Sequence, residues 1–214
     1  MKYIQKLFFP IEVKHPGKEI NFDNNTHLAV FLNHSSFIEV ILAGILPNRA
    51  LKQLAQKLII PIAAETATRP IGKLIRLIGP KILPISRRRD HSWHGFMNAI
   101  EEQDIMIFFP EGRMARRGGV DKHGKPMTMR RGIYDVLQAF KGKNMLLYYS
   151  GGFRHILPRG KYWPKFFKKS YGKVEIINVD EYLAKFESYK DSAQAICEDL
   201  LTRKQNYLDS LKLR

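Results

Sequence analysis

The 214-residue sequence lacks several features that would each assign a chain to a particular class of protein. Cys197 is the only cysteine, which excludes an internal disulfide and fits a reducing compartment. No apolar run reaches the roughly 18 residues that a membrane-spanning helix needs. We find no internal repeat and no low-complexity segment, and hydrophobic residues make up 44% of the chain. A folded globular protein with a substantial core is therefore expected.

Acidic residues are scarce, with 20 Asp and Glu against 36 Lys and Arg, which gives a formal net charge of +16. No acid lies between Arg69 and Arg89 or between Arg154 and Lys173, and the second stretch is interleaved with aromatic residues. An anionic bilayer, nucleic acid and an acidic carrier protein all fit this charge, and so does a solvated basic face without a ligand. Charge alone does not choose among them.

The length favours one domain that covers residues 1–214. Within residues 1–25, the apolar patch at Leu7-Phe8-Phe9 is too short and too interrupted to be a signal peptide. This segment is expected either to lie on a membrane surface or to pack on the core of the domain.

Apolar runs and turn residues predict strands that alternate with helices. Strands are predicted over residues 28–32, 81–85, 105–109, 144–149 and 173–179. Helices are predicted from Ser35 or Ser36 to about Leu46, and over residues 51–60, 70–78, 91–102, 132–140 and the last 25. The alternation favours an α/β fold, a single layered domain with a largely parallel central sheet flanked by helices and a C-terminal amphipathic helix. Sites in such sheets gather where strands end and helices begin.

The first motif, Asn33-His34-Ser35-Ser36-Phe37-Ile38-Glu39, directly follows a predicted strand. His34 suits the role of a general base that removes a proton from an alcohol attacking an activated acyl carbonyl. Glu39 could accept a hydrogen bond from the other ring nitrogen and fix the tautomer. A histidine followed five residues later by an acid also arises by chance, so the motif alone decides nothing.

The second motif, Phe109-Pro110-Glu111-Gly112-Arg113, follows the clearest predicted strand. Pro110 fixes one dihedral angle, Gly112 permits close approach of the backbone to a ligand, and Arg113 can bind a phosphate with its fork. Glu111 could orient Arg113 or meet a substrate hydroxyl. The alternative is a strand-ending turn with a surface salt bridge. His91 and His94 have helical spacing but no third ligand, so no metal site is predicted.

Together the motifs resemble those of the glycerolipid acyltransferase family, most closely the bacterial 1-acyl-glycerol-3-phosphate acyltransferases and related lysophospholipid acyltransferases. The resemblance runs from about residue 28 to residue 140. The Asn-His-x4-Asp block of the family resembles Asn33-His34…Glu39, and Phe-Pro-Glu-Gly is matched outright at 109–112. A block with glycine, apolar residues and arginine resembles Leu77-Ile78-Gly79…Ile85-Ser86-Arg87.

The resemblance implies transfer of a fatty acyl group from an acyl-CoA or acyl-carrier-protein thioester to a lysolipid hydroxyl, without a metal or other cofactor. His34 would be the base and Glu39 its orienting acid. The acceptor's headgroup phosphate would be held by Arg87, Glu111, Gly112 and Arg113. The expected partners are an anionic membrane surface, the lysolipid acceptor and the thioester donor, with no nucleic acid. The expected location is peripheral, on the cytoplasmic face of the inner (plasma) membrane.

Three departures from the family pattern leave the acceptor open. Glu39 stands where aspartate is usual, and Arg113 follows Gly112 directly, where a threonine commonly intervenes. Residues 146–152 replace the usual apolar-Pro-apolar block. An acyltransferase for a non-glycerophosphate lipid, a catalytically silent lipid-binding or membrane-binding protein of the same fold, and a nucleic-acid-binding protein are the alternatives. An apolar slot beside His34 would distinguish an acyltransferase.

Overall fold

The computed structural model describes residues 2–14, 25–36, 39, 45–68, 72, 81–86, 89–116, 118–121, 123–157 and 163–212. The strands are β1 (Ile11–Lys14), β2 (Thr26–Phe31), β3 (Leu58–Ala63), β4 (Lys81–Ile85), β5 (Ile105–Phe108), β6 (Asn144–Gly151) and β7 (Ser170–Asn178). The helices are α1 (Lys2–Phe8), α2 (Asn48–Lys57), α3 (Ala64–Ala67), α4 (His91–Asn98), α5 (Gly132–Ala139), α6 (Phe153–Ile156), α7 (Val179–Ala184) and α8 (Ser192–Lys212).

These strands form one seven-stranded sheet in the order β1-β7-β6-β2-β5-β3-β4. Every neighbouring pair is parallel except β6 with β7, which is antiparallel. The predicted α/β class with a largely parallel sheet is therefore confirmed. Because β2, β5 and β6 run in the same direction, their carboxyl ends lie at one edge of the sheet. Both sequence motifs and α6 begin at that edge.

Both faces of the sheet carry a core, as expected of a parallel sheet. Leu28 and Val30 of β2 point into the larger core, which includes buried residues of α4, α5, α7 and α8. Ala29 points to the opposite face, where it packs in a cluster with Phe9 and with Phe153 of α6. Side chains that alternate along β2 thus fill two layers, and the central strand is held rigidly between them.

The prediction of a helix over residues 51–60 is wrong at its carboxyl end, because α2 ends at Lys57 and β3 begins at Leu58. The misleading residue is Pro61, which was interpreted as a helix stop but lies inside β3. Pairing of β3 with β5 is limited to Leu58 and Ile59. The missing N–H of Pro61 therefore costs no ladder hydrogen bond on that side.

Several other predicted elements are confirmed, with shifted ends. The strand at residues 81–85 is β4, an edge strand as its proline indicated. The helix over residues 91–102 is shorter and ends at Asn98, and Asp90 caps its first turn. α1, β1, α3, α6 and α7 were not predicted. The helices predicted at 35–46 and 70–78 fall largely outside the described residues.

Within the described residues 2–14, the structure shows packing on the domain, one of the two alternatives drawn from the sequence, and placement on a membrane surface stays a prediction. Phe9 is buried, and β1 joins the sheet as an edge strand beside β7. Tyr3 and Leu7 of α1, in contrast, are exposed. The segment thus packs on the domain while presenting part of its apolar surface outward.

The predicted C-terminal amphipathic helix is α8, which is 21 residues long. Its buried side includes Ile196, Cys197, Leu200 and the ammonium-bearing Lys204. A lysine on the buried face of a helix is unusual and requires a partner. Among the described helices, none is both long and apolar enough to cross a bilayer.

Candidate active site

The His34 loop leaves the carboxyl end of β2 and is held by backbone hydrogen bonds on both sides. The N–H of Leu32 donates to the carbonyl of Tyr148 (3.0 Å), and the N–H of Ala115 donates to the carbonyl of His34 (2.8 Å). The side-chain amide of Asn33 donates to the Ser150 carbonyl, and its oxygen accepts from the Ser150 N–H at 2.9 Å. The amide nitrogen and the amide oxygen of Asn33 therefore both attach the loop to β6.

His34 and Glu39 meet as their spacing predicted. Nδ1 of His34 lies 2.6 Å from Oε2 of Glu39. The Glu39 side chain is 5% exposed and that of His34 is 23% exposed. Phe109 packs against the imidazole, with 4.7 Å between ring centroids. A carboxylate at Nδ1 favours the tautomer with its proton on that nitrogen, which leaves the Nε2 lone pair for a substrate.

The second oxygen of Glu39 accepts three further hydrogen bonds from the two serines of the motif. Its Oε1 accepts from the Ser35 N–H (2.7 Å), the Ser35 hydroxyl (3.1 Å) and the Ser36 N–H (3.2 Å). These three donors hold the carboxylate in one orientation, in which its other oxygen contacts His34. The Ser36 hydroxyl donates instead to the carbonyl of Leu157, at 2.9 Å. The sequence predicted a helix start at Ser35 or Ser36 and did not indicate these roles of the two serines.

Glu111 lies beneath the His34 loop and is 1% exposed. Its Oε2 accepts the backbone N–H of His34 at 3.2 Å, and its Oε1 accepts from Nζ of Lys204 at 2.5 Å. The Lys204 side chain is 10% exposed. Both oxygens of Glu111 are thus engaged within the protein. Lys204 was missed because its partner lies 93 residues away and no local pattern indicates the pair.

Gly112 forms the turn that follows Glu111. Its φ is +64°, a conformation that strains residues with a side chain. The turn is closed by the Gly112 N–H, which donates to Phe109 at 2.9 Å, and by the Arg130 N–H, which donates to Pro110 at 2.7 Å. The observed requirement for glycine is this backbone conformation, since an added Cβ would meet only Cγ of Arg130, at 3.5 Å.

Arg113 is held by Asp121, with 2.6 Å between Nη1 and Oδ2. The other oxygen of Asp121 accepts the N–H groups of His123 (2.7 Å) and Lys125 (3.0 Å). Burial alone would raise the pKa of Asp121, but these N–H groups and the Arg113 charge outweigh it and place the pKa below its usual range. Asp121 thus orients Arg113, a role that sequence reasoning considered for Glu111. Arg87, the last of the four predicted headgroup residues to be placed, lies outside the described residues.

Three further features concern a metal site, a surface groove and the apolar slot expected of an acyltransferase. Within the described part of the chain, no group of three or more His, Cys, Asp or Glu residues could hold a metal ion. A groove of about 470 Å³ lies between β7 and α8, and its lining includes Lys173, Glu175 and Arg203 but not His34. The apolar slot expected beside His34 stays a prediction, because residues 37–38 and 40–44 fall outside the described part.

Comparison with known proteins finds a likeness in fold. No protein-family model matches the chain, and no curated protein sequence matches it. The chain is similar to the crystal structure of the 1-acyl-sn-glycerophosphate (LPA) acyltransferase PlsC from Thermotoga maritima, with a TM-score of 0.54 and 18% sequence identity. The match covers 95% of this chain and 73% of that chain. At this identity the likeness establishes a shared α/β fold.

Proposed function

We propose that the protein is an O-acyltransferase that moves a fatty acyl group from a thioester to a hydroxyl of a lysophospholipid. The observation that carries the proposal is the 2.6 Å contact between His34 Nδ1 and the buried carboxylate of Glu39. This pair provides an oriented base at the edge of the sheet where sites of α/β proteins lie. A thioester is already activated, so a base and correct positioning suffice for the reaction.

In the proposed mechanism, Nε2 of His34 accepts the proton of the acceptor hydroxyl as its oxygen attacks the thioester carbonyl. The carboxylate of Glu39 stabilises the imidazolium that forms. When the tetrahedral intermediate collapses, the C–S bond breaks and the imidazolium returns its proton to the departing thiolate. The products are the ester and the free thiol, and His34 is again ready to act as a base.

The acceptor and the donor are proposed from the structural neighbour and from the arginines of the two motif regions. The structural neighbour is named as an LPA acyltransferase, which supports 1-acyl-glycerol-3-phosphate as the first acceptor to test. Arg113, half-exposed next to the Gly112 turn, and Arg87 are retained as headgroup residues. Glu111 is too enclosed for a headgroup contact, and we assign it to holding the His34 backbone. Either acyl-CoA or an acyl-carrier protein would serve as donor.

We further propose that the protein works peripherally on an anionic membrane, at the cytoplasmic face of the inner (plasma) membrane. Support comes from exposed apolar side chains on two segments that contact each other through Phe8, Phe166 and Phe167. We call these side chains the aromatic surface: Tyr3, Leu7, Trp163, Phe166 and Phe167. Three exposed lysines accompany it, Lys165, Lys168 and Lys169. Aromatic rings mixed with basic residues suit the headgroup region of an anionic bilayer.

The aromatic surface lies close to the catalytic loop. The Ser36 hydroxyl donates to the carbonyl of Leu157, and the carbonyl of the preceding residue, Ile156, accepts the N–H of Lys165 at 2.7 Å. Two successive hydrogen bonds thus connect the loop of His34 to the segment that carries Phe166 and Phe167. A lipid acceptor delivered from a membrane at this surface would enter beside the base.

The decisive experiment measures ester formation by the purified protein with acyl-CoA and acyl-carrier-protein donors and a panel of lysolipids that includes phosphate-free acceptors. We expect transfer by the natural protein and a loss of roughly 10²–10⁴-fold in kcat for His34→Ala. The exposed His94 of α4 provides the matched control, since His94→Ala should leave the rate unchanged. Full activity of His34→Ala, or no transfer to any acceptor, would overturn the proposal.

A further inference from the structure

Helix α6 is fastened to the catalytic loop at both ends. Before the helix, Ser150 exchanges two hydrogen bonds with Asn33. After it, the carbonyl of Leu157 accepts the hydroxyl of Ser36 at 2.9 Å. Gly152, with φ of +84°, turns the chain from β6 into the helix. This turn requires glycine, since a Cβ there would be strained and would lie 3.0 Å from the Lys169 carbonyl.

Arg154 projects from this short helix and is half-buried. Burial lowers the pKa of its guanidinium, and the nearby charge of Glu111 acts in the opposite direction. Glu111 does not neutralise Arg154 by direct contact, because its two oxygens already bind Lys204 and the His34 N–H. Across the described residues, no carboxylate lies within salt-bridge distance of Arg154.

This arrangement differs from that of Arg113, whose charge is already matched by Asp121. A cation that is partly withdrawn from water without an anionic partner is destabilising, and proteins rarely keep one without a use for it. The charge of Arg154 is therefore available to a ligand. Guanidinium groups bind phosphate oxygens with two parallel N–H donors, which makes phosphate the chemistry that this site fits.

We propose that Arg154 binds a phosphate group of a substrate next to His34. The phosphate could belong to the acceptor headgroup or to the coenzyme A part of the donor, and the experiment separates these sources. The proposal rests on the proposed acyltransferase function for its catalytic readout. It adds a residue that neither the sequence motifs nor the resemblance indicated.

The kinetic test compares Arg154→Gln and Arg154→Lys with the natural protein. Arg154→Gln should raise KM at least about tenfold for whichever substrate carries the bound phosphate, with a smaller effect on kcat. Arg154→Lys should recover part of the loss, because it keeps the charge without the fork. Lys185→Ala, at an exposed position after α7, removes the same charge and should leave KM unchanged.

Two substrate substitutions identify the source of the phosphate. If the penalty disappears with a monoacylglycerol acceptor, Arg154 binds the headgroup. If it disappears with an acyl-pantetheine donor, Arg154 binds coenzyme A. A penalty that persists with both phosphate-free substrates, or no penalty at all, would overturn the assignment.

A direct binding measurement keeps this proposal separate from the acyltransferase assignment. Titration calorimetry with glycerol 3-phosphate and with inorganic phosphate should detect binding by the natural protein and by Lys185→Ala, and its loss in Arg154→Gln. Absence of acyl transfer with this binding pattern intact would refute the enzyme assignment alone. Equal binding by Arg154→Gln and the natural protein, or no binding by either, would refute the role of Arg154.

Discussion

The two oxygens of Glu39 bind different donors, and this division makes the length of the side chain critical. One oxygen holds Nδ1 of His34 at 2.6 Å while the other holds Ser35 and Ser36. Glutamate stands here where the family pattern has aspartate, so its side chain carries one extra methylene. In the structure, the Glu39 side chain is long enough for one oxygen to contact the imidazole of His34 while the other contacts Ser35 and Ser36.

Shortening or neutralising this side chain should therefore have different consequences. Glu39→Asp withdraws the carboxylate by about 1.5 Å, so the base is misplaced and kcat should fall about 10²-fold. Glu39→Gln keeps the length of the side chain, but the NH₂ of the new amide would donate to Nδ1 of His34. The amide oxygen would accept the hydrogen bonds of Ser35 and Ser36. The histidine would then carry its proton on Nε2 and could not act as a base, and kcat should fall about 10⁴-fold.

Steady-state rates of the two variants, with far-UV circular dichroism as a check on folding, test this order. A Glu39→Gln enzyme that is as active as Glu39→Asp would show that the tautomer of His34 does not control the reaction.

Among the elements, helix α8 is the one that sequence periodicity described correctly but incompletely. Its apolar positions predicted an amphipathic helix, and the structure confirms it. The pattern could not indicate that Lys204 lies on the buried face, because a lysine at that spacing is usually solvated. Only the tertiary structure brings Lys204 to Glu111 and thus connects the last helix of the domain to the His34 loop.

We expect Lys204→Met to destabilise the protein by about 3–5 kcal/mol, because it leaves the Glu111 carboxylate buried without its cation. The same variant should lower kcat, since Glu111 holds the backbone of His34. Urea unfolding monitored by fluorescence gives the stability, and acyl transfer gives the rate.

Two comparisons make this prediction specific. Lys212→Met removes an exposed pair with Asp209 on the same helix and should cost less than about 1 kcal/mol. Adding Glu111→Gln to Lys204→Met should recover part of the lost stability, because the buried charge is then gone as well. Equal losses for Lys204→Met and Lys212→Met would show that the buried pair does not support the loop.

At the scale of the whole molecule, the sequence predicted what depends on local spacing. The His34–Glu39 contact joins residues five positions apart, and the second motif lies at the end of a clear apolar run. Contacts between distant segments were not predictable, and they include Asn33 with Ser150 and Glu111 with Lys204. These contacts depend on the order of strands in the sheet, which no local pattern specifies.

The aromatic surface is also a product of the whole molecule, because two distant segments build it. Phe8 of α1 packs against Phe166 and Phe167, with ring centroids 5.3 and 5.9 Å apart. The Phe167 N–H donates to the Phe8 carbonyl at 2.8 Å. Phe167 also has a φ of +60° and remains 68% exposed. This exposed ring on a positive-φ residue belongs to the surface for which we propose a membrane partner.

If that partner is an anionic bilayer, the protein should sediment with phosphatidylglycerol-containing vesicles and much less with pure phosphatidylcholine vesicles. Replacing Lys165, Lys168 and Lys169 by glutamine should weaken binding by roughly 100-fold, at about 1 kcal/mol per lysine. High salt should also weaken vesicle binding by the natural protein, because it screens the lysine charges.

The apolar part of the aromatic surface is tested separately. The double variant Trp163→Ser with Phe167→Ser should reduce vesicle binding at any salt concentration, since the apolar contribution is not screened. Tyr189→Ser, which alters an aromatic side chain that is 56% exposed outside this surface, is the matched control. Equal binding to both vesicle types, or equal effects of Tyr189→Ser and the double variant, would assign the aromatic surface to another partner.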